Sequence, residues 1–421
     1  MAVRPCVADR IGAEPGESAF SALSHLECTR CRQRYDADVV QGVCSCGAPL
    51  AARYELSGVK EAVAPDQLAS REPTLWRYHE LLPVRGPEAV VSLGEGMTPL
   101  YGLPRLGRAY EVGDLLVKDE GLLPTGSFKA RGAAVGVSRA GELGVSGVAM
   151  PTNGNAGAAW AAYASRAGMR TLIAMPTGAP DITRRECIAA GAELYLVDGH
   201  IGQCGQLIAD AVERRQGYQN VSTLKEPYRL EGKKTMGIEI VEQLGWRVPD
   251  VIVYPTGGGV GLIGIYKALQ ELVGVGWIED RLPRLVAVQS TGCAPIAAAF
   301  EAGVSEVEWW EHPRTIAFGI NVPRPLGGFL VLEALRATEG TAVTVTDEDV
   351  VREVRRCAEL EGLFVCPEGA AALSAVRQLR SSGWLSGDER VVVLNTGAGL
   401  KYPDTITGDS RVLLASDEIP G

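Results

Sequence analysis

The chain has 421 residues, of which 46% are hydrophobic and 22% are charged, and its formal net charge is -10. This balance is typical of a globular protein with two or three domains, and it excludes a disordered or collagen-like chain. Because non-specific nucleic-acid binding needs a basic face, and because no run of 18 apolar residues occurs, we expect neither a nucleic-acid partner nor a membrane span.

The first predicted unit is a cysteine-rich head over residues 1–55. Residues Met1–Glu14 lack the apolar segment of a signal peptide, so we expect a cytoplasmic protein. Four of the ten cysteines, Cys28, Cys31, Cys44 and Cys46, have the spacing Cys-x2-Cys-x12-Cys-x-Cys. Four thiolates can complete a tetrahedral zinc shell. The short Cys-x-Cys pair also permits a ribbon without metal, so both alternatives stay open.

A connector over residues 56–95 follows the head and contains several prolines that interrupt regular structure. Its apolar side chains, among them Trp76, Tyr78, Leu81 and Leu82, predict that it packs on the rest of the chain.

From about residue 112, short β-branched runs alternate with longer alanine-rich segments. This pattern predicts βαβ units and a mainly parallel sheet, whose ligands bind at the carboxyl ends of the strands. The predicted strands are Leu115–Lys118, Val145–Met150, Thr171–Met175, Ala192–Val197, Val251–Tyr254, Arg284–Gln289 and Val391–Asn395. The predicted helices are Ser127–Arg139, Asn155–Ala167, Asp181–Ala190, Gly202–Gln216, Lys233–Leu244, Gly261–Val273, Asp347–Glu361 and Gly369–Leu379.

The loop after the predicted strand Val251–Tyr254 contains four glycines within Gly257–Gly261. Successive glycines let backbone N–H groups converge on one point, and a following helix N-terminus adds partial positive charge. A tight turn is the alternative, but it needs fewer glycines. The loop therefore predicts a phosphate site.

Three further loops carry candidate groups. Lys129 lies in the first turn of a predicted helix, whose positive end disfavours a protonated amine, so Lys129 could form an imine. The loop Pro151–Gly157 offers a hydroxyl, amides and free N–H groups that suit a carboxylate, although Asn153 or Asn155 could simply cap the helix. Thr396 offers a neutral hydroxyl after a strand, where a glycine-rich turn is the alternative.

Taken in this order, the motifs resemble the fold-type II pyridoxal phosphate enzymes, with a tryptophan synthase β-like fold, and within them the threonine synthase family. The resemblance covers roughly residues 90–405. It rests on Gly94–Leu100, Lys118–Glu120, Gly126–Arg131, Asn153–Asn155, Gly257–Gly261 and Asn395–Lys401. It implies a catalytic body over residues 96–421 with two α/β domains of parallel or mixed sheets, the smaller one inserted at about 130–245, and a homodimer.

The resemblance also implies roles for individual residues. Lys129 would form the Schiff base with pyridoxal 5'-phosphate and then move protons at Cα and Cβ of the substrate. Phe128 would lie against the pyridine ring, Asn155 would bond the 3'-oxygen, and Thr396 would bond the pyridine nitrogen. The cofactor phosphate would be held by Gly257, Gly258, Gly259, Val260 and Gly261, and the substrate carboxylate by Thr152, Asn153 and Gly154.

The segment from Lys225 to Thr235 resembles the part of threonine synthases that contacts the substrate phosphate. The candidate ligands are Arg229 and Lys225, with Lys233 or Lys234 as alternatives to the latter. Threonine synthases commonly have Asn-Pro where this chain has Glu226-Pro227, and a carboxylate facing a phosphate would repel it. Either Glu226 points away from the substrate, or the substrate lacks that phosphate. The head resembles the zinc-ribbon-like segment of these relatives.

The leading predicted function is a lyase that converts O-phosphohomoserine and water to threonine and phosphate. One alternative is a serine or threonine dehydratase, or a β-replacement enzyme, acting on a small amino acid without a γ-phosphate. An alternative of another class is a non-catalytic sensor that binds pyridoxal phosphate.

Overall fold

The computed structural model of the protein describes residues 19–406, 408, 412–415 and 419. Residues Met1–Glu14, for which we expected no signal peptide, lie outside the described residues, as does the first part of the predicted head. Among the described residues, no helix combines the length and the apolar character needed to cross a membrane.

The head contains a three-stranded antiparallel sheet with the order β2-β1-β3. Its strands are β1 (Leu23–Cys28), β2 (Arg34–Tyr35) and β3 (Leu50–Tyr54). Buried head residues such as Leu26 and Ala37 belong to the same hydrophobic core as Ala133 and Trp160 of the body. The head is therefore packed into the body through a shared core.

The larger body sheet has six strands in the order β12-β11-β10-β13-β5-β4, and β4 at one edge is antiparallel to its neighbour. The register pairs Val391 with both Val251 and Leu115, which places β13 inside the sheet. The strands are β4 (Leu100–Gly102), β5 (Asp114–Asp119), β10 (Val251–Pro255), β11 (Arg284–Ser290), β12 (Thr341–Val345) and β13 (Arg390–Asn395).

The second body sheet has four parallel strands in the order β8-β7-β6-β9. All four come between β5 and β10 in the chain, so the chain leaves the larger sheet after Asp119 and returns to it at Val251. The strands are β6 (Gly147–Pro151), β7 (Arg170–Pro176), β8 (Glu193–Val197) and β9 (Tyr218–Asn220).

Twelve α-helices in the described residues connect and cover these strands. They are α1 (Leu56–Ala62), α2 (Pro104–Tyr110), α3 (Lys129–Glu142), α4 (Asn155–Arg166), α5 (Asp181–Ala189), α6 (Ile201–Arg214), α7 (Arg229–Gln243), α8 (Val260–Val275), α9 (Pro295–Glu301), α10 (Gly328–Ala337), α11 (Asp347–Glu361) and α12 (Pro367–Ser381). Helix α7 is buried along most of its length because it packs against both α3 and α8.

The predicted α/β fold with parallel and mixed sheets is confirmed, and every strand and helix predicted for the body is present with ends shifted by a few residues. The prediction missed β4, β9 and β12, together with α1, α2, α9 and α10. Strands β4 and β9 have three residues each, and β12 is half-buried along most of its length. Runs of three residues are too short to show a period, and the Thr-Ala-Val-Thr-Val sequence of β12 does not alternate polar with apolar residues.

Candidate active site

A cavity of about 520 Å³ lies at the carboxyl ends of β6, β10 and β13, between the two body sheets. This is where ligands bind in open parallel sheets. The structure brings together here nearly all the residues that the sequence predicted. These are Phe128, Lys129, Thr152, Asn153, Gly154, Asn155, Lys225, Gly257, Gly258, Gly259, Val260, Gly261 and Thr396.

Lys129 is the first residue of α3 and lines this cavity. Burial, followed by the positive charge of Arg229, lowers the pKa of Lys129 to about 8, although the negative charge of Glu368 acts in the opposite direction. Its Nζ lies 4.2 Å from the centre of the Phe128 ring. A substantial neutral fraction near pH 8 makes this amine competent to attack an aldehyde.

The loop before Lys129 is tied to the loop after β13. The backbone N–H of Phe128 donates to the carbonyl of Thr396 at 3.0 Å, and the N–H of Ala398 donates to the carbonyl of Gly126 at 2.9 Å. These bonds hold the lysine and the Thr396 hydroxyl at one fixed edge of the cavity. An arrangement of this kind suits one flat ligand that contacts both groups.

The glycine loop between β10 and α8, here called the glycine cradle, packs too closely on neighbouring side chains to admit a Cβ at two of its positions. A Cβ at Gly259 would overlap Val331, and one at Gly261 would overlap the Tyr254 hydroxyl. That hydroxyl is buried without a hydrogen-bond partner in the described structure. Gly259 also has a φ of +80°, which glycine adopts readily. Free N–H groups at the start of the 16-residue helix α8 complete a site that fits a phosphate.

The start of α4 forms the opposite side of the cavity. The Thr152 hydroxyl accepts hydrogen bonds from the N–H groups of Gly154 at 3.1 Å and Gly157 at 3.2 Å, so it shapes this turn. The Nδ2 atom of Asn155 donates to the Tyr402 hydroxyl at 3.1 Å. Its Oδ1 atom is buried without a partner in the described structure. An unused amide oxygen beside the cavity fits a polar ring substituent of a bound cofactor.

Two candidate ligands of the predicted substrate segment, Lys225 and Arg229, line different cavities. Lys225 is exposed and lines the large cavity. Arg229 instead lines a smaller adjacent cavity of about 30 Å³, which also borders Lys129 and Lys233. Its Nη1 donates to the Thr223 hydroxyl at 3.1 Å, and its Nε donates to Glu226 at 3.1 Å. The structure therefore does not place Arg229 on the wall of the large cavity.

Glu226 points away from the large cavity. Its carboxylate accepts hydrogen bonds from the backbone N–H groups of Tyr228 at 2.9 Å and Arg229 at 3.0 Å, at the start of α7. It is 2% exposed. Of the two alternatives that the sequence left open for Glu226, the structure supports the first.

The four head cysteines converge on one point. Their sulfur atoms all lie within 4.8 Å of one another, with 3.5 Å between Cys28 and Cys46 and 3.4 Å between Cys31 and Cys44. A tetrahedral zinc ion with Zn–S bonds of about 2.3 Å requires sulfur atoms about 3.8 Å apart. Hydrogen bonds to the Cys44 sulfur lower its pKa to about 5, and the largest effect comes from the Tyr35 hydroxyl, which donates at 3.1 Å. The donor set therefore fits zinc.

Sequence reasoning missed several residues at the cavity. Glu368 and Tyr402 both line it, and Tyr402 stacks on Phe318 with 4.7 Å between ring centres. Lys233, which the sequence analysis offered as an alternative phosphate ligand, lines the small cavity instead. It lies on the face of Phe128, with its Nζ 4.3 Å from the ring centre, and donates to the Phe128 carbonyl. Burial, followed by the charges of Lys129 and Arg229, holds the pKa of Lys233 well below its usual value. In the sequence, Glu368 is marked by its place between Pro367 and Gly369, at the start of a predicted helix.

The comparison with protein families matches residues 91–397 to the pyridoxal-phosphate dependent enzymes. The chain belongs to this family. The fold-type II resemblance and the pyridoxal phosphate cofactor predicted from the motifs are thereby confirmed. The roles given to the individual residues stay predictions.

Among relatives within this family, a threonine synthase from Methanocaldococcus jannaschii is 36% identical, covering 90% of this chain and 93% of its own. A threonine synthase from Methanosarcina acetivorans is 37% identical, covering 91% and 94%. The solved structure of maize serine racemase superposes with a TM-score of 0.63 at 23% identity, covering 72% and 88%. That structure supports the fold alone, whereas the two relatives support a threonine synthase-like, pyridoxal-phosphate-dependent lyase.

Proposed function

We propose that this enzyme converts O-phosphohomoserine and water to threonine and phosphate. The observation that carries the proposal is the position of Lys129, a half-buried lysine that lines one cavity with the glycine cradle, an unpaired asparagine oxygen and a threonine hydroxyl. Relatives named threonine synthase that match nine-tenths of the chain support the same reaction.

Bound pyridoxal phosphate supplies an electron sink that acidifies the hydrogens on Cα and then Cβ of the substrate. The glycine cradle from Gly257 to Gly261 would bind its phosphate, and Asn155 would bond its 3'-oxygen. The Thr396 hydroxyl can donate to a neutral pyridine nitrogen, which favours elimination and replacement over transamination. Lys129 would accept the proton from Cα and then a proton from Cβ. Its side chain lines both cavities, so it lies between the predicted carboxylate and phosphate sites.

The substrate carboxylate would bind at the start of α4. Thr152 already organises this turn through its two accepted hydrogen bonds. The remaining N–H groups and the helix dipole attract an anion.

The γ-phosphate would bind at the cationic end of the site. Lys225 lies on the large cavity, and Arg229 and Lys233 lie on the small one. A phosphate there would find local positive charge in a chain whose net charge is -10. It would also favour protonation of Lys233, whose pKa is held low by burial and by the charges of Lys129 and Arg229.

The rival dehydratase or β-replacement reactions were favoured by Glu226, on the assumption that its carboxylate faced the substrate. Since Glu226 bonds the first amides of α7 instead, nothing in the described residues favours those reactions over the synthase. A cytoplasmic location and a homodimer stay predictions for this enzyme.

The test supplies purified enzyme separately with O-phosphohomoserine, threonine and O-phosphoserine. We expect stoichiometric phosphate and threonine from the first substrate. A keto acid formed from threonine, with no turnover of O-phosphohomoserine, would overturn the proposal in favour of the dehydratase. An absorbance change without turnover of any substrate would favour the sensor.

A further inference from the structure

The cysteine-rich head touches two segments that form walls of the large cavity. Segment 219–228 lines the cavity through Ser222, Thr223 and Lys225, and segment 303–329 lines it through Trp309 and residues 318–326. Both segments are mainly loops outside the regular body sheets. Their positions therefore depend on what packs behind them.

The loop between Cys31 and Cys44 holds the first segment and the helix that follows it. The Tyr228 hydroxyl donates to the Ala37 carbonyl at 2.8 Å, and Gln219 Nε2 donates to the Gln41 carbonyl at 3.5 Å. Arg139 Nη2 donates to the same Ala37 carbonyl at 2.7 Å. The two bonds at Ala37 are buried, so they order this loop against the body.

Strand β3 provides another buried attachment to α7. The Tyr54 hydroxyl donates to Glu231 Oε2 at 2.9 Å, and Lys234 Nζ lies 3.9 Å from the centre of the Tyr54 ring. Glu231 and Lys234 follow Arg229 in the first two turns of α7. The head thus contacts the same helix end that carries the cationic groups of the site.

The cysteine knuckle itself contacts the second segment. Arg30 lies between Cys28 and Cys31, and its backbone N–H donates to the Cys28 sulfur at 3.4 Å. Its guanidinium forms an ion pair with Glu306 at 2.7 Å and lies 3.9 Å from the centre of the Phe329 ring. A metal that fixes Cys28 and Cys31 would therefore fix Arg30 as well.

We propose that the four-cysteine ribbon is a positioning element for the substrate side of the active site, holding segment 219–228 through its 36–41 loop and segment 303–329 through Arg30. The chain between Cys31 and Cys44 contains only the two-residue strand β2, so few backbone hydrogen bonds hold it. Closing it with a metal removes much of its conformational freedom and makes it a rigid support. That these segments form the substrate side rests on the proposed function. The contacts between the ribbon and the two segments do not depend on it.

The test compares the wild-type holoenzyme with the double variant Cys31→Ser, Cys46→Ser and with the control Val43→Ala, which changes an exposed apolar side chain next to Cys44. Zinc content, cofactor absorbance, KM, kcat and amide hydrogen exchange are measured on each protein. We expect the double variant to lose zinc and to exchange faster in both segments. We also expect its KM to rise about five- to tenfold, the equivalent of one or two lost hydrogen bonds, while kcat and cofactor content change little.

Two single variants leave the cysteines intact and separate the two attachments. Arg30→Met should speed exchange in 303–329 only, and Tyr228→Phe in 219–228 only. If the double variant does not fold, hydrogen exchange in these two single variants still tests the proposal. The proposal is overturned if wild-type protein supplied with zinc holds none, if exchange in both segments is unchanged after zinc loss, or if kcat and cofactor content fall as much as substrate affinity. Because exchange needs no turnover, it answers the question even if O-phosphohomoserine is not the substrate.

Discussion

The carboxylate of Glu226 lies 3.0 Å from the backbone nitrogen of Arg229 and 3.1 Å from its Nε. One acidic side chain thus caps the start of α7 and balances the buried guanidinium beside it. Neither interaction places negative charge in the large cavity. Of the charged groups in this segment, Lys225 lines the large cavity, whereas Arg229 and Lys233 line the small one.

Removing this cap is expected to destabilise the protein. In Glu226→Ala, the first amides of α7 and the buried Arg229 charge lose their partner, which costs about 3–5 kcal/mol. Glu226→Gln keeps an acceptor for the amides and should cost less. Urea unfolding measures both against Glu213→Ala, an exposed change on α6. A loss below about 1 kcal/mol in Glu226→Ala would show that the cap contributes little.

Replacing Lys129 is expected to abolish the covalent link to the cofactor. Borohydride reduction of the wild-type holoenzyme should leave a pyridoxyl group on the peptide that contains Lys129, and Lys129→Ala should carry none. Turnover should fall by about 10²- to 10⁴-fold, the usual contribution of a positioned acid–base group. Lys60→Ala, an exposed change on α1, is the control. A pyridoxyl adduct on any other lysine of the wild type would contradict the assignment.

The pKa of Lys129, lowered to about 8, predicts the pH dependence of cofactor loading. Only the neutral amine attacks the aldehyde, so the rate of loading of the apoenzyme should rise with pH and level off above about 8. Stopped-flow absorbance measures this rate. Since Glu368 raises the pKa of Lys129, Glu368→Gln should move the midpoint to lower pH. A rate that still increases tenfold per pH unit above 9 would indicate an ordinary exposed lysine.

Gly258 allows the phosphate cradle to be tested without disturbing the fold. A Cβ at this position would meet only Thr223 Cγ2, at 3.4 Å, which is an ordinary contact. The methyl group of Gly258→Ala would instead enter the space in which we predict that the cofactor phosphate binds. We expect cofactor affinity to fall about tenfold, or ~1.4 kcal/mol, with an unchanged unfolding midpoint. Equilibrium dialysis measures the affinity, and Gly58→Ala, in open space on α1, is the control. Equal cofactor affinity in Gly258→Ala and Gly58→Ala would show that Gly258 does not contact the cofactor phosphate.

The sequence by itself determined the body fold and the cofactor class. Strands covered on both faces require continuous apolar runs such as Val391–Leu394, and amphipathic or alanine-rich stretches of helical length separate them. The glycine loop is also recognisable in the sequence, because a backbone that approaches a ligand closely requires residues without a Cβ. Such requirements act within a few residues of the chain, so a local pattern reveals them.

Only the tertiary structure decided which groups meet and which way they face. No local pattern joins Phe128 to Thr396, brings Glu368 to the cavity, or seats Tyr54 against α7. Glu226 and Arg229 illustrate the physical reason. Near a helix start, a charged side chain either turns toward free amides or extends toward a ligand. The choice depends on burial and on neighbours from distant parts of the chain, which the sequence order does not contain.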